Sequence, residues 1–262
     1  MSWNGKVVVV TGAGSGIGAA TAELFAEKGA NVVVVDMNAA AGGDSARRIE
    51  KNGARALFVP ADISNENDVG RLAESVVAEF GRVDVLVNNA GIMRRHERLE
   101  EWPLDEFRRV IDINLTSLFV SSQIFAPIIS RGGGGVIINI SSLGAVLPVS
   151  YSPCYAAAKA GVLALTRSMA PLLQPMGVRV NAVLPSLVDT PMIKDSPVRG
   201  QLPPGTVLRP MDIATAVAHV AADASVTGGF FSVNGTPDGP RLSRVIDPPA
   251  QMEETVQPFL RG

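Results

Sequence analysis

Seven short runs of apolar, mostly β-branched residues punctuate the chain: VVVV at 7–10, VVVVD at 32–36, ALFV at 56–59, VDVLVN at 83–88, GVIINI at 135–140, VRVNAVL at 178–184 and FFSV at 230–233. The runs are continuous rather than alternating, as expected of strands buried on both faces. Between them, GIGAATAELFAEKG, ENDVGRLAESVVAEFG, LDEFRRVIDINLTSLFVSSQIFAPIIS and CYAAAKAGVLALTRSMA carry apolar residues at three- and four-residue intervals, the spacing of a helix face. Strand and helix in turn predict an α/β, doubly wound sheet. Parallel neighbours need crossovers, and those are nearly always right-handed. No repeat or low-complexity segment interrupts the alternation, and 262 residues with 47% hydrophobic side chains can bury one core. The pattern predicts one domain over 1–236, followed by an extension over 237–262.

Charge narrows the partners. With 23 basic and 25 acidic residues the net charge is -2 and no basic stripe stands out, which argues against nucleic acid or an anionic membrane as partner. No apolar run near 18 residues is evident, so no membrane-spanning helix is expected. The opening MSWNGKVVVVTG enters a strand at once and lacks a leader pattern, which predicts a cytoplasmic protein. The single cysteine, Cys154, cannot form an internal disulfide and reads as a small buried filler or a reactive thiol. His96 and His219 lie too far apart to give metal-ligand spacing, so no metal is expected.

In doubly wound sheets ligands bind beyond the carboxyl ends of the strands. The first strand ends in TGAGSGIG at 11–18, a glycine-rich turn that opens a helix. Glycine lets the backbone approach a pyrophosphate, whose charge the helix N-terminus attracts. Gly12, Ser15, Gly16, Ile17 and Gly18 are therefore candidate cofactor contacts. The second strand ends in Asp36, where a carboxylate can accept from adenosine ribose hydroxyls and would repel a 2′-phosphate. Ser15, Met37 and Asn38 supply no cation for that phosphate, so NAD is expected rather than NADP. Asp36 can also serve as a helix N-cap.

The glycine turn, Asp36, AD at 61–62, NNAG at 88–91, Asn114, SS at 141–142 and YAAAK at 155–159 together resemble, in order and spacing over residues 5–235, the short-chain dehydrogenase/reductase family. The resemblance implies a Rossmann-type sheet of seven mainly parallel strands flanked by helices on both faces. It also implies hydride transfer between a secondary alcohol and a ketone. By the same resemblance Ser142 orients the substrate oxygen, Tyr155 is the acid/base, and Lys159 binds the nicotinamide ribose. Asn114 supports a water leading to Lys159, or is simply a packing amide. Asp62 and Ile63 would meet the adenine, Asn89 the adenine-side or central cofactor backbone, and Val188 and Thr190 the carboxamide.

The residues support part of this independently. Pro153 is tolerated only in a first helical turn, so a helix should begin near 153 and put Tyr155 and Lys159 on one face. A neighbouring ammonium and a cationic nicotinamide would lower the phenol pKa toward the working pH. Ser141 should point away from Ser142 across its strand. Tyr151 lines the substrate pocket or sits in an exposed loop.

Some features depart from the family pattern. Ser186 stands where glycine is common, Pro171 should kink or end the long helix, and VNGT at 233–236 replaces the usual ending. Residues 189–209, rich in Pro and Gly, read as a substrate lid or a bland loop. The tail covers a neighbouring subunit, closes the pocket or hangs free. From 156 to 173 the only charges are Lys159 and Arg167, so that helix must be covered on most sides, and a homotetramer or dimer is expected. The expected function is an NAD-dependent alcohol dehydrogenase or carbonyl reductase acting on an apolar or cyclic substrate. The alternatives are reduction of a 3-oxoacyl thioester and a non-catalytic NAD(H) sensor.

Overall fold

The computed structural model describes residues 3–194 and 206–245. Seven strands run parallel: β1 (Val7–Thr11), β2 (Asn31–Asp36), β3 (Ala56–Pro60), β4 (Val85–Asn88), β5 (Gly135–Ile140), β6 (Val178–Pro185) and β7 (Phe230–Thr236). An eighth, β8 (Gly239–Val245), pairs antiparallel with β7, giving the order β3-β2-β1-β4-β5-β6-β7-β8. The sheet is therefore the expected Rossmann-type one with an added edge, built from residues that read as the start of a tail. Pro240 opens β8 opposite Gly235, and the strand lies at the sheet's rim, where a residue without an N–H is tolerated. The tail beyond 245, and the lid centre 195–205, lie outside the described residues.

Helices α1 (Gly16–Glu27), α2 (Ala39–Lys51) and α7 (Pro210–Ala222) cover one face of the sheet. The other is covered by α3 (Glu66–Phe80), α4 (Leu104–Ile111), α5 (Ser117–Arg131) and α6 (Pro153–Leu173). The apolar runs serve both layers. In β1, Val8 and Val10 meet Phe25 and Ile213 on the first side, while Val7 and Val9 meet Phe125 and Val69 on the second. The strand order reverses between β1 and β4, which opens the crevice where such sheets bind ligands.

Two helix expectations change. The long helix predicted from LDEFRR onward is broken by a π-helical turn at Asp112–Thr116. Taken together, Leu104–Arg131 is 28 residues long and apolar enough to cross a bilayer by length and composition, contrary to the reading of the sequence. In this fold it is a core helix, with 56% of its most apolar stretch buried and α3 and β5 packed against it. Pro171 does not stop α6 where it stands. It occupies the last turn, and the helix ends at Leu173 before a 3-10 turn.

Candidate active site

At the carboxyl ends of β1 and β2 the backbone is shaped for close approach. Gly12 and Gly16 have φ of 64° and 55°, a region other residues rarely enter. A Cβ on Gly12 would lie 2.8 Å from the Ala90 Cα, and one on Gly14 would lie 2.7 Å from the Asp36 carboxylate. Ser15 precedes α1 in extended conformation and is exposed, so the amides of that helix start face the crevice.

Asp36 is fixed by two amides. Its Oδ2 accepts from the Gly14 N–H at 2.8 Å and its Oδ1 from the Asn38 N–H at 2.9 Å. It is not the helix cap, because Asn38 holds that position and accepts from Ala41 N–H. Asp62 accepts from the Ser64 amide and hydroxyl and pairs with Arg109 at 3.3 Å. Burial pushes its pKa up, but these partners outweigh it and hold the carboxyl below its ordinary value. Asn89 spends its amide on the strand ends, donating to Thr11 O at 2.8 Å and Gly12 O at 3.2 Å. Thr11 completes the clasp by accepting from the Asn89 and Ala90 amides, a role the sequence reading missed.

Around Tyr155 the local signals act as expected. α6 starts at Pro153, Tyr155 lies in its first turn, and Lys159 follows one turn later. The Lys159 Nζ sits 5.6 Å from the Tyr155 ring centroid and donates to the Ile140 carbonyl at 2.8 Å. Ser142 lies beside the Tyr155 hydroxyl, where it favours the ionised phenol, and accepts from Gly144 N–H at 3.0 Å. Ser141 turns the other way and donates to the Lys159 carbonyl at 2.8 Å, which anchors α6 to β5.

Electrostatics differ from the expectation of a lowered phenol pKa. Burial raises the Tyr155 pKa, the Ser142 hydrogen bond lowers it, and the Tyr151 phenol adds to the rise. The balance is upward. Lys159 is buried too, and desolvation brings its pKa down to about 8.

A cavity of about 970 Å³ joins both halves. It meets every predicted site residue except Gly18 and Asn114. Gly18 lies behind the turn, where a Cβ would strike the Gly12 carbonyl and the Asn89 amide. Asn114, in the π turn, accepts from Ile92 N–H at 2.9 Å and donates to Ile92 O at 2.7 Å. These two bonds tie the π turn to the loop after β4. Gly91 lies between Asn114 and Lys159 and keeps them close, since a Cβ there would be 3.6 Å from the lysine nitrogen.

Tyr151 lines the cavity, as do Met93, Leu147, Val149 and Met192, whereas Val146 is 57% exposed and does not. The two described ends of the lid segment meet beside it. Val188 bridges Leu208, Asp189 N–H donates to Leu208 O, and Thr206 and Pro191 face the cavity. Arg94 and Ser186 also line it. No periodicity singles out Arg94; its place just after NNAG, at the end of β4, is the only sequence signal for it. Ser186 takes an ordinary backbone conformation, and its Oγ is buried without a partner among the described residues. An unsatisfied hydroxyl on this wall fits a site that receives a polar group.

Residues 6–199 match the family described as short chain dehydrogenase. The chain belongs to that family. This short-chain dehydrogenase, an oxidoreductase, is 43% identical over 238 residues to a cis-4-hydroxycyclohexanecarboxylate dehydrogenase of Sinomonas cyclohexanicum, covering 88% of this chain and 95% of the relative. It is 35% identical over 238 residues to a cyclohexanol dehydrogenase of Acinetobacter sp. (strain SE19), covering 89% and 95%. Among solved structures, a 7α-hydroxysteroid dehydrogenase complexed with NADH and 7-oxo glycochenodeoxycholic acid superposes with TM-score 0.84 at 35% identity, covering 89% of this chain and 94% of that one.

Proposed function

We propose that this short-chain dehydrogenase interconverts a ring-borne secondary alcohol and its ketone, with NAD(H) as cofactor and Tyr155 as the proton-exchanging group. One observation carries the reading: a buried phenol, with Ser142 beside it and a buried ammonium behind it, opens into the same cavity as the Asp36 carboxylate. Binding a nucleotide needs no phenol, so a sensor leaves this arrangement without a use.

Bound nicotinamide supplies the hydride acceptor or donor. In oxidation the carbinol loses hydride from carbon and a proton from oxygen, and the Tyr155 Oη takes that proton. In reduction Tyr155 returns it to the carbonyl oxygen. Ser142, held by Gly144 N–H, presents its hydroxyl to the same oxygen. Lys159, anchored on Ile140 O, keeps positive charge beside the phenol and reaches toward the nicotinamide ribose. Asn114 holds the loop after β4 through Ile92 and so fixes the space in front of Lys159. Gly12, Ser15, Gly16, Ile17 and Gly18 form the pyrophosphate turn. Asp62 and Ile63 take the adenine, while Val188 and Thr190 take the carboxamide.

NAD rather than NADP follows from Asp36, whose carboxylate is already fixed by Gly14 and Asn38 and would oppose a 2′-phosphate. A ring substrate is supported by apolar walls at Met93, Leu143, Leu147, Val149 and Met192, and by relatives named for cyclohexyl alcohols. A tetramer is supported by Ala157, Ala160 and Ala164, which leave a small-residue face of α6 exposed, and by Phe119, exposed on α5. A cytoplasmic setting fits a single cysteine that is free and buried.

The deciding assay follows NADH and NADPH over cyclic ketones, cyclic alcohols and a 3-oxoacyl thioester, with Tyr155→Phe alongside. Turnover of the cyclic pair with NADH, lost in the variant, supports the reading. Preference for the thioester with NADPH overturns it in favour of the biosynthetic alternative, and NADH binding with no turnover on any substrate favours the sensor.

A further inference from the structure

We propose that the preferred alcohol carries a carboxylate remote from its carbinol, and that Arg94 at the cavity mouth receives it. The inference rests on the function proposed above. It begins from the depth of the cavity. Tyr155 is buried, so the carbinol must reach the floor, while Arg94 lines the same cavity yet is exposed. A ring held by its oxygen at the floor directs its far substituent outward to the exposed lining, of which Arg94 is the cationic member among the described residues.

Charge points the same way. Among the described residues that line the cavity, the carboxylates are Asp36 and Asp62, both at the adenosine end, and Asp62 is paired with Arg109. At the substrate end the charged lining residues are Lys159 and Arg94. Lys159 is buried and committed to Ile140 O and the phenol. Arg94 makes no hydrogen bond or ion pair with any described residue, so its guanidinium can take an anion without giving up a partner among them.

The next residue makes the position a fixed one. Arg95 turns away from the cavity, donates to the Met192 carbonyl at 3.2 Å and lies over the Tyr151 ring at 5.6 Å. His96 N–H donates to the Tyr151 carbonyl at 3.3 Å, and its ring pairs with Glu106 at 3.0 Å. The loop bearing Arg94 is thus tied to two walls of the substrate end, and Arg95 acts as a positioning residue. A carboxylate can be met there with little ordering of the backbone.

The test compares cis-4-hydroxycyclohexanecarboxylate with its methyl ester in the wild type, Arg94→Gln and Arg94→Lys. Kinetics with NAD are paired with calorimetric binding of unreactive cyclohexanecarboxylate to the NADH-loaded protein. The expected result is an acid-to-ester ratio of kcat/KM on the order of tenfold, carried by KM, with part of an ion pair's strength lost to solvent. That ratio collapses in Arg94→Gln, partly returns in Arg94→Lys, and falls with added salt. Binding of cyclohexanecarboxylate weakens in step. An unchanged ratio in Arg94→Gln, with the ester still oxidised, overturns this inference alone. Oxidation of neither compound while NADH binds overturns the functional reading and this inference with it.

Discussion

Replacing Lys159 by Met should abolish turnover and yet make the fold relatively more stable at neutral pH than at alkaline pH. Burial lowers the Lys159 pKa from 10.5 to about 8. The unfolded chain therefore holds a proton on this group between those values that the folded chain has released, so wild-type stability rises as pH climbs through that window. At about 1.4 kcal/mol per pH unit, keeping the folded lysine charged at pH 7 costs about 3 kcal/mol, a large part of a typical 5–15 kcal/mol total. Methionine removes the titration. It also removes the hydrogen bond to Ile140 O, but that loss is a constant offset at every pH. Urea unfolding of both proteins at pH 7 and 9.5 isolates the charge. The stability difference should move by about 2 kcal/mol in favour of the wild type at pH 9.5, a midpoint change of about 1 M for a slope near 2 kcal/mol per M. Burial raises the Tyr155 pKa, which moves its own titration toward more alkaline pH and out of the comparison. Parallel stability curves would refute the claim that Lys159 is held charged against its burial.

The raised Tyr155 pKa fixes the direction of the pH–rate profile. Oxidation needs the phenolate and should rise from pH 7 toward 10, whereas reduction needs the phenol and should not, and Tyr155→Phe should lose about 10²–10⁴-fold in both directions. Asp36→Ala should weaken NADH binding by about tenfold, as expected for lost hydrogen bonds to a charged acceptor, and leave NADPH binding unchanged or tighter; fluorescence titration measures both. Asp84, buried beside Lys6 and Arg82 and accepting from Val7 N–H at 2.9 Å, ties β1 to β4. Burial raises its pKa but those partners outweigh it, so its contribution is present above the ordinary 3.8 and disappears as pH falls below that value. Asp84→Ala should destabilise the fold by about 3 kcal/mol in urea at pH 7 and by much less at pH 3.

The sheet was legible because its strands are buried on both faces and so are written as uninterrupted apolar runs. β8 is the exception. It reads GPRLSRV, with a proline and two arginines, because one side of the strand faces no strand among the described residues and three of its seven residues are exposed. No period-2 or continuous apolar signal survives there, and only the hairpin with β7 reveals it. The π turn at Asp112–Thr116 was hidden for a different reason. It shifts register by one residue inside a helix whose neighbours carry the same three- and four-residue spacing, and a pattern read at that resolution cannot register the shift.

The site divides along the same line between local and non-local physics. Pro153 at the start of α6, the four-residue step from Tyr155 to Lys159, and the opposite orientations of Ser141 and Ser142 follow from backbone periodicity, so a short segment suffices to read them. The sign of the phenol's pKa does not follow from any short segment. YAAAK places an ammonium near a phenol, which alone predicts a lowered value, but the outcome depends on how much water both groups lose, and that is decided by Ser142, Tyr151 and the loops closing over them. Asn114 behaves likewise: its place in sequence suggests a polar relay, while its two bonds to Ile92 arise only once the loop after β4 folds back onto the π turn. Tyr155 is therefore a residue that the sequence names without its surroundings, whereas Arg94 becomes visible only as part of the folded cavity lining.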